Sequence, residues 1–164
     1  MKLLKTSILL IISILAVSCL DEPYRSPNIR VNKLGVNSDT LSSTATPIVV
    51  GDTLKLSLTL EGFVNDMEYF HINMDREYAK DSIAYTEDLL QYCNPLYTDV
   101  KDGLYYFNPG VQNMYLTLFI IPKKAKEDEK SGIPVSLSLK SNCNTGDEYN
   151  PFYLNFNYFI TNKK

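Results

Sequence analysis

The chain has 164 residues, 45% of them apolar, and a net charge of −3. That length fits one domain with enough apolar surface for a real core, and no basic cluster is present that would attract nucleic acid. Twelve tyrosines against no tryptophan, frequent serine, threonine and asparagine, and few long helix-forming runs make the composition β-rich.

Lys2 and Lys5 precede an apolar run from about Ser7 to Val17, the anatomy of a secretory signal peptide. The run is too short to span a bilayer, which needs roughly 20 residues. It closes on Ile14-Leu15-Ala16-Val17-Ser18-Cys19, which resembles the lipobox of bacterial lipoproteins. The resemblance implies cleavage before Cys19 and acylation of that residue, hence residues 1–18 as leader and a lipid-anchored protein of the bacterial outer membrane, facing periplasm or cell surface. The bland reading is a non-lipidated leader with a chance cysteine. Removing Lys2 and Lys5 from the 16 basic residues leaves 14 against 19 acidic ones, a mature net charge of −5. Residues 19–28, with two prolines and no apolar period, read as a lipidated tether. Asp21 and Glu22 resemble the surface-export signal of Bacteroidetes lipoproteins, although Leu20 intervenes.

Residues 29–164 form the folded domain in this reading. Ile29 and Val31 open a first strand. After a Gly51-Asp52 turn, Leu54, Leu56, Leu58 and Leu60 alternate with polar residues, the cleanest half-buried strand in the chain. Phe70, Ile72 and Met74 alternate with Tyr69, His71 and Asn73, and Leu104 to Phe107 is a short aromatic strand. Residues 81–93 break the alternation, and Thr86 followed by two acids predicts a short helix near 83–92. Met114, Leu116, Leu118 and Ile120 point inward, as do Ile133, Val135, Leu137 and Leu139. The charged stretch 123–132 between these two strands reads as a hairpin tip, a possible partner-binding loop, so the two strands are expected to pair. Phe152, Leu154, Phe156, Tyr158 and Ile160 face the core on the last strand.

About seven strands with no βα repeat predict an all-β, antiparallel immunoglobulin-like sandwich. Val49 to Leu56 resembles the opening strand pair of bacterial immunoglobulin-like domains, and Asp102-Gly103-Leu104-Tyr105 faintly resembles a tyrosine corner, one residue short of the usual spacing. Over its whole length the chain resembles the small Ig-like lipoproteins of Bacteroidetes. With Cys19 acylated, Cys93 and Cys143 remain, and an even count in an exported protein predicts a disulfide, the alternative being two buried thiols.

Chemistry is sparse. His71, the one histidine, lies on an outward strand face, and no serine sits in a nucleophile elbow. Asp99, Asp102 and Gly103 hint at a calcium loop but lack its closing glutamate, so a turn explains them better. No metal or cofactor is expected, and the chain is read as non-enzymatic. Tyr115 and Phe119 on one strand and Tyr153 and Phe159 on another fall opposite the core set. If those strands are neighbours, four rings share an outer face suited to stacking on sugars. Tyr105-Tyr106 is a weaker candidate. Asp39-Thr40-Leu41, Asp52-Thr53-Leu54 and Asp81-Ser82-Ile83 match an Asp-Ser/Thr-apolar pattern, more matches than composition yields by chance. By resemblance to O-glycosylated exported proteins of Bacteroidetes, Thr40, Thr53 and Ser82 are candidate acceptors.

The role expected is membrane-anchored binding or scaffolding with a protein or glycan partner. The alternatives are a glycan-binding accessory protein for carbohydrate capture, or a fimbria-like assembly subunit in which the strand at 29–36 is the pairing edge.

Overall fold

The structure, a computed structural model, describes residues 25–37, 39–41, 46–126, 132–143 and 150–162. In chain order the strands are β1 (Asn28–Val36), β2 (Asp39–Thr40), β3 (Ile48–Val49), β4 (Leu54–Glu61), β5 (Met67–Met74) and β6 (Ala79–Ile83). Then come one helix, α1 (Thr86–Leu90), and β7 (Leu104–Tyr106), β8 (Asn113–Pro122), β9 (Ile133–Ser141), β10 (Phe152–Tyr158) and β11 (Ile160–Thr161). Among the described residues, six of the expected strands are present with seven residues or more, the expected strand at 104–107 is the three-residue β7, and β6 was not expected.

The strands make two facing antiparallel sheets, one ordered β2-β1-β4-β8-β6 and the other β10-β9-β5-β7. Chain order through β1-β4-β8-β6 is that of strands A-B-E-D of an immunoglobulin sandwich, and β10-β9-β5 is G-F-C. A further A-to-G feature is the parallel pair of β3 with β11. Inward leucines of β4 and β8 meet Phe70, Ile72, Leu137 and Leu139 of the other sheet, all 0–1% exposed apart from Leu116 at 9%.

Three expectations are corrected. The strands flanking the charged stretch do not pair: β8 lies between β4 and β6, whereas β9 lies between β5 and β10, so the chain crosses from one sheet to the other there. Residues 127–131 of that stretch lie outside the described residues; Lys123 Nζ donates to the Arg76 carbonyl at 3.0 Å and Lys124 pairs with Glu77. Val31 is 41% exposed although it pairs opposite Leu58, because β1 is the edge of its sheet there, and a β-bulge between Val31 and Lys33 then shifts the register against β4. The short helix starts at Thr86, as expected, although Thr86 is not its cap residue. The Thr86 hydroxyl donates to the Ile83 carbonyl at 2.6 Å, and Tyr85 occupies the cap position in the left-handed region at φ 55°. Finally, Tyr105 is no tyrosine corner: it sits on β7, not on the F-position strand, and stacks on Phe70 in the core at 6.4 Å.

The core keeps one polar orphan. The Tyr158 hydroxyl is buried with no hydrogen-bond partner among the described residues, and burial raises its pKa well above the usual phenol value, with Asp75 and Asp81 adding to the effect. A buried unsatisfied polar atom costs about 1–3 kcal/mol. Tyr158→Phe is therefore expected to raise unfolding stability by about 1 kcal/mol in urea melts; a loss of that size would mean that the hydroxyl is satisfied.

Candidate functional site

In an immunoglobulin sandwich a direct turn joins strands D and E. Here residues 84–112 intervene between their counterparts β6 and β8, first as α1 and then as β7, which adds to the opposite sheet beside β5. This insertion departs from the burial economy of the rest. Ten large apolar side chains are exposed among the described residues, and six of them lie in it: Tyr85, Leu90, Tyr92, Leu96, Tyr97 and Val100. That concentration on one segment differs from the scattered exposure normal for a monomer.

The start of the insertion walls a groove across the outer face of the five-stranded sheet. The groove consists of two adjoining hollows of about 400 and 660 Å³ that share Ser57, Ala84, Tyr85 and Thr117. Ser57 and Thr117 are cross-strand partners on β4 and β8 and form its polar floor. Ala84 closes the wall against the floor, its N–H donating to the Thr117 carbonyl at 2.9 Å. Asn32, Asp88, Tyr92 and Tyr115 line the first hollow, and Lys33, Asp39, Lys55 and Phe119 the second. Tyr85 is 83% and Tyr115 79% exposed. The left-handed backbone at Tyr85 turns the chain off the sheet and holds its ring between the two hollows; a non-glycine residue there costs about 1–2 kcal/mol.

The four aromatic residues expected on one face are divided. Tyr115 and Phe119 are on β8 of the five-stranded sheet, and Phe119 is half-buried with the Lys55 ammonium 5.9 Å from its ring centre. Tyr153 is on β10 of the other sheet and Phe159 lies just beyond it, so they look away on the far side of the sandwich. The pairing fails because β8 and β10 belong to different layers. Sequence reasoning missed Tyr85 and Tyr92, whose signal was the break in alternation after β6. On the far face, Tyr106 meets Tyr69 at 5.5 Å and Tyr97 at 5.9 Å, with rings tilted 50° and 55°. Those rings pack on one another edge-on and offer no flat platform.

The acceptor candidates fall around the groove. Cross-strand pairing sets Thr40, Gly35, Lys55, Phe119 and Ser82 in one row across the sheet, with Thr40 and Ser82 exposed at its two edges. Thr53 is half-buried and its N–H donates to the Asn37 side chain at 3.0 Å. Cys19 lies outside the described residues.

The expected disulfide is not made. Cys93 is a buried thiol whose Sγ donates to the Leu89 carbonyl at 3.4 Å. Cys93 bridges to Phe107, Phe107 bonds to Glu68 of β5, and β5 pairs with the end of β9 that leads to Cys143. Three strand spacings of about 4.8 Å exceed the reach of about 7 Å that a disulfide allows. His71 sits on the outer face of β5, between Leu104 and Ser138, while Cys93 faces the core, so no Cys–His pair is assembled. The Asp99 carboxylate accepts the N–H groups of Lys101 and Asp102 at 3.0 and 3.1 Å, the geometry of an Asx turn.

No family model and no curated protein matches the chain. Among solved structures it is similar to the crystal structure of the S-layer protein SbsC domains 4 and 5, at 11% identity and a TM-score of 0.36, over 82% of this chain and 54% of that one. The chain thus spans about half the length of that structure.

Burial pushes the Cys93 thiol up to about 11, with the Thr98 hydroxyl pulling the other way, and pushes Tyr105 up to about 12. Both values lie above those of an unfolded chain, so their contribution to stability is complete below pH 9 and disappears as pH rises through 11 to 12. Urea midpoints should therefore fall between pH 8 and pH 11, on the order of 2 kcal/mol of that loss coming from Cys93. In Cys93→Ala the slope should flatten; an unchanged slope would assign the loss elsewhere.

Proposed function

We propose that the chain is a non-enzymatic, lipid-anchored binding protein of the bacterial cell envelope, and that the groove over the five-stranded sheet holds a glycan. The observation that carries this reading is the composition of the groove. Exposed tyrosine rings, Tyr85, Tyr92 and Tyr115, stand with the apolar groups of Ile83, Leu89 and Met114 beside hydroxyl, amide and carboxylate groups of Ser57, Thr117, Asn32 and Asp88. A sugar offers the same two chemistries, an apolar face of C–H bonds and a rim of hydroxyls, so rings bind the face while Ser57, Thr117, Asn32 and Asp88 bind the rim. The groove is open, which suits one section of a longer chain rather than an enclosed small molecule. The lipobox ending in Cys19 supports the anchor.

The strain at Tyr85 separates ligand binding from stability. Its ring is mostly in solvent and contributes little to folding, while its backbone pays for a conformation that glycine adopts freely. Tyr85→Gly is expected to stabilise the fold by about 1 kcal/mol and to weaken glycan binding about fivefold, a stacking contact being worth about 1 kcal/mol. Tyr115→Ala should weaken binding similarly with an unchanged melting temperature. A glycan array followed by calorimetry on the best hit measures both; full affinity in the double variant would sink the groove as the site. Independently, Cys19→Ala should move the protein from the membrane fraction to the soluble one, and retention in the membrane would remove the anchor.

A further inference from the structure

Four strand edges bound the two sheets, and three are blunted by recognised devices against edge pairing. The β1 edge is capped at Gly35 and Val36 by β2, carries the bulge after Val31, and presents Arg30 and Lys33. The β6 edge carries Lys80 and Asp81 within five residues. The β7 edge is three residues long and is occupied by the bridges from Cys93 and Asp99.

The fourth edge has none of these. Strand β10, Phe152–Tyr158, pairs with β9 on one side and with no strand on the other among the described residues. Its register is unbroken over all seven residues, and it contains no charge, proline or glycine. The following segment, β11, is closed by β3, which among the described residues leaves Phe152–Tyr158 as the open stretch. Core packing is unfinished there too. Phe152, Leu154 and Phe156 face inward but are only half-buried, whereas their partners on β9, Val135, Leu137 and Leu139, are 0–1% exposed.

We propose that β10 pairs antiparallel with β10 of a second copy of this chain, joining two four-stranded sheets into one of eight. The strand is complementary to itself about its midpoint, Asn155. A two-fold axis there sets Leu154 against Phe156 and Phe152 against Tyr158 on the core side. On the outer side it sets Asn155 against itself and Tyr153 against Asn157. Apolar meets apolar, amide meets amide, and no charge is repeated across the axis, the cross-strand matching that stabilises a sheet. The sequence expectation placed the pairing edge at 29–36; the bulge and β2 disqualify it. The pairing is independent of the groove and of any glycan.

The test is cysteine cross-linking of the full chain in its host membranes with copper phenanthroline as oxidant. Asn155, Tyr153 and Asn157 are all exposed, so single substitutions there leave the fold intact. Across the axis residue 155 lies about 5 Å from its own copy, within disulfide reach, whereas 153 lies roughly 14 Å along the strand from its copy. Asn155→Cys should give a disulfide-linked dimer at least fivefold above Tyr153→Cys, Asn157→Cys and the unsubstituted chain. The double variant Tyr153→Cys/Asn157→Cys should recover it. Asn155→Lys combined with that double variant should abolish the dimer, because two like charges then meet on the axis. Equal yields at the three single sites, or no dimer above the unsubstituted chain, would overturn the proposal.

Discussion

Leu54, Leu56, Leu58 and Leu60 are each 0–1% exposed, and β4 that carries them is paired on both sides, with β1 and with β8. Burying one such side chain is worth about 2 kcal/mol. An exposed ion pair such as Arg30–Glu61, with the arginine more than half in solvent, is worth 1 kcal/mol at most. The leucine row therefore sets the register of the whole five-stranded sheet. A slip of one residue would turn all four leucines to solvent and bring Lys55, Ser57, Thr59 and Glu61 into the core. The opposite sheet is placed by the same row together with that of β8, since Phe70, Ile72, Leu137 and Leu139 share one core cluster with both.

With the inner faces committed to the core, function is left to the outer faces, the edges and the insertion at 84–112. The insertion is short on regular structure, five helical residues and a three-residue strand, so few of its apolar side chains find cover. Four of them, Leu89, Cys93, Tyr105 and Phe107, reach the core and fasten it. The others are held outside by a backbone that the fastening fixes: Tyr85 turns out just before Leu89, and Tyr92 just before Cys93. A ring positioned by a neighbour's burial loses little entropy on meeting a ligand. The same insertion that interrupts the sandwich thus preorganises the wall of the groove.

Period two was legible wherever a strand has one wet and one dry face. The inward residues of β4, β5, β8, β9 and β10 can be read directly from the alternation, because burial of one face is the physical cause of that pattern. Three things were not legible, each for its own reason. β6 carries Lys80 and Asp81 on an edge, so its five residues show no alternation to distinguish them from a loop. The bulge after Val31 depends on how β1 lies on β4, and no residue type announces it. Layer assignment of β8 and β10 is a matter of topology: alternation says which way Tyr115 and Tyr153 point from their own sheets, not that the sheets face opposite directions. So only Tyr115 and Phe119 of the expected aromatic set share an outer face, and Tyr85 and Tyr92 had to come from the fold.

The groove and the β10 edge are related by symmetry. A two-fold axis that runs two antiparallel edge strands past each other is normal to the sheet they form. It therefore carries one five-stranded outer face onto the same side as the other, and both grooves look in one direction. The strands of the two copies run opposite ways, however. Arg25 packs on Phe63, 3.7 Å from its ring, at the end of the sandwich where β5 begins; by symmetry the two chains leave at opposite ends of the pair. If Cys19 carries the proposed anchor, two upright copies in one bilayer could not meet in this way. Lying flat they could, because six residue steps from Cys19 to Arg25 span at most about 20 Å, comparable to the depth of two sheets packed about 10 Å apart with their outer side chains. On the two proposals together, a flat pair would present two parallel-facing grooves to one extended ligand, the second contact being made at the effective concentration set by the first. Each groove could then be shallow because the edge doubles it.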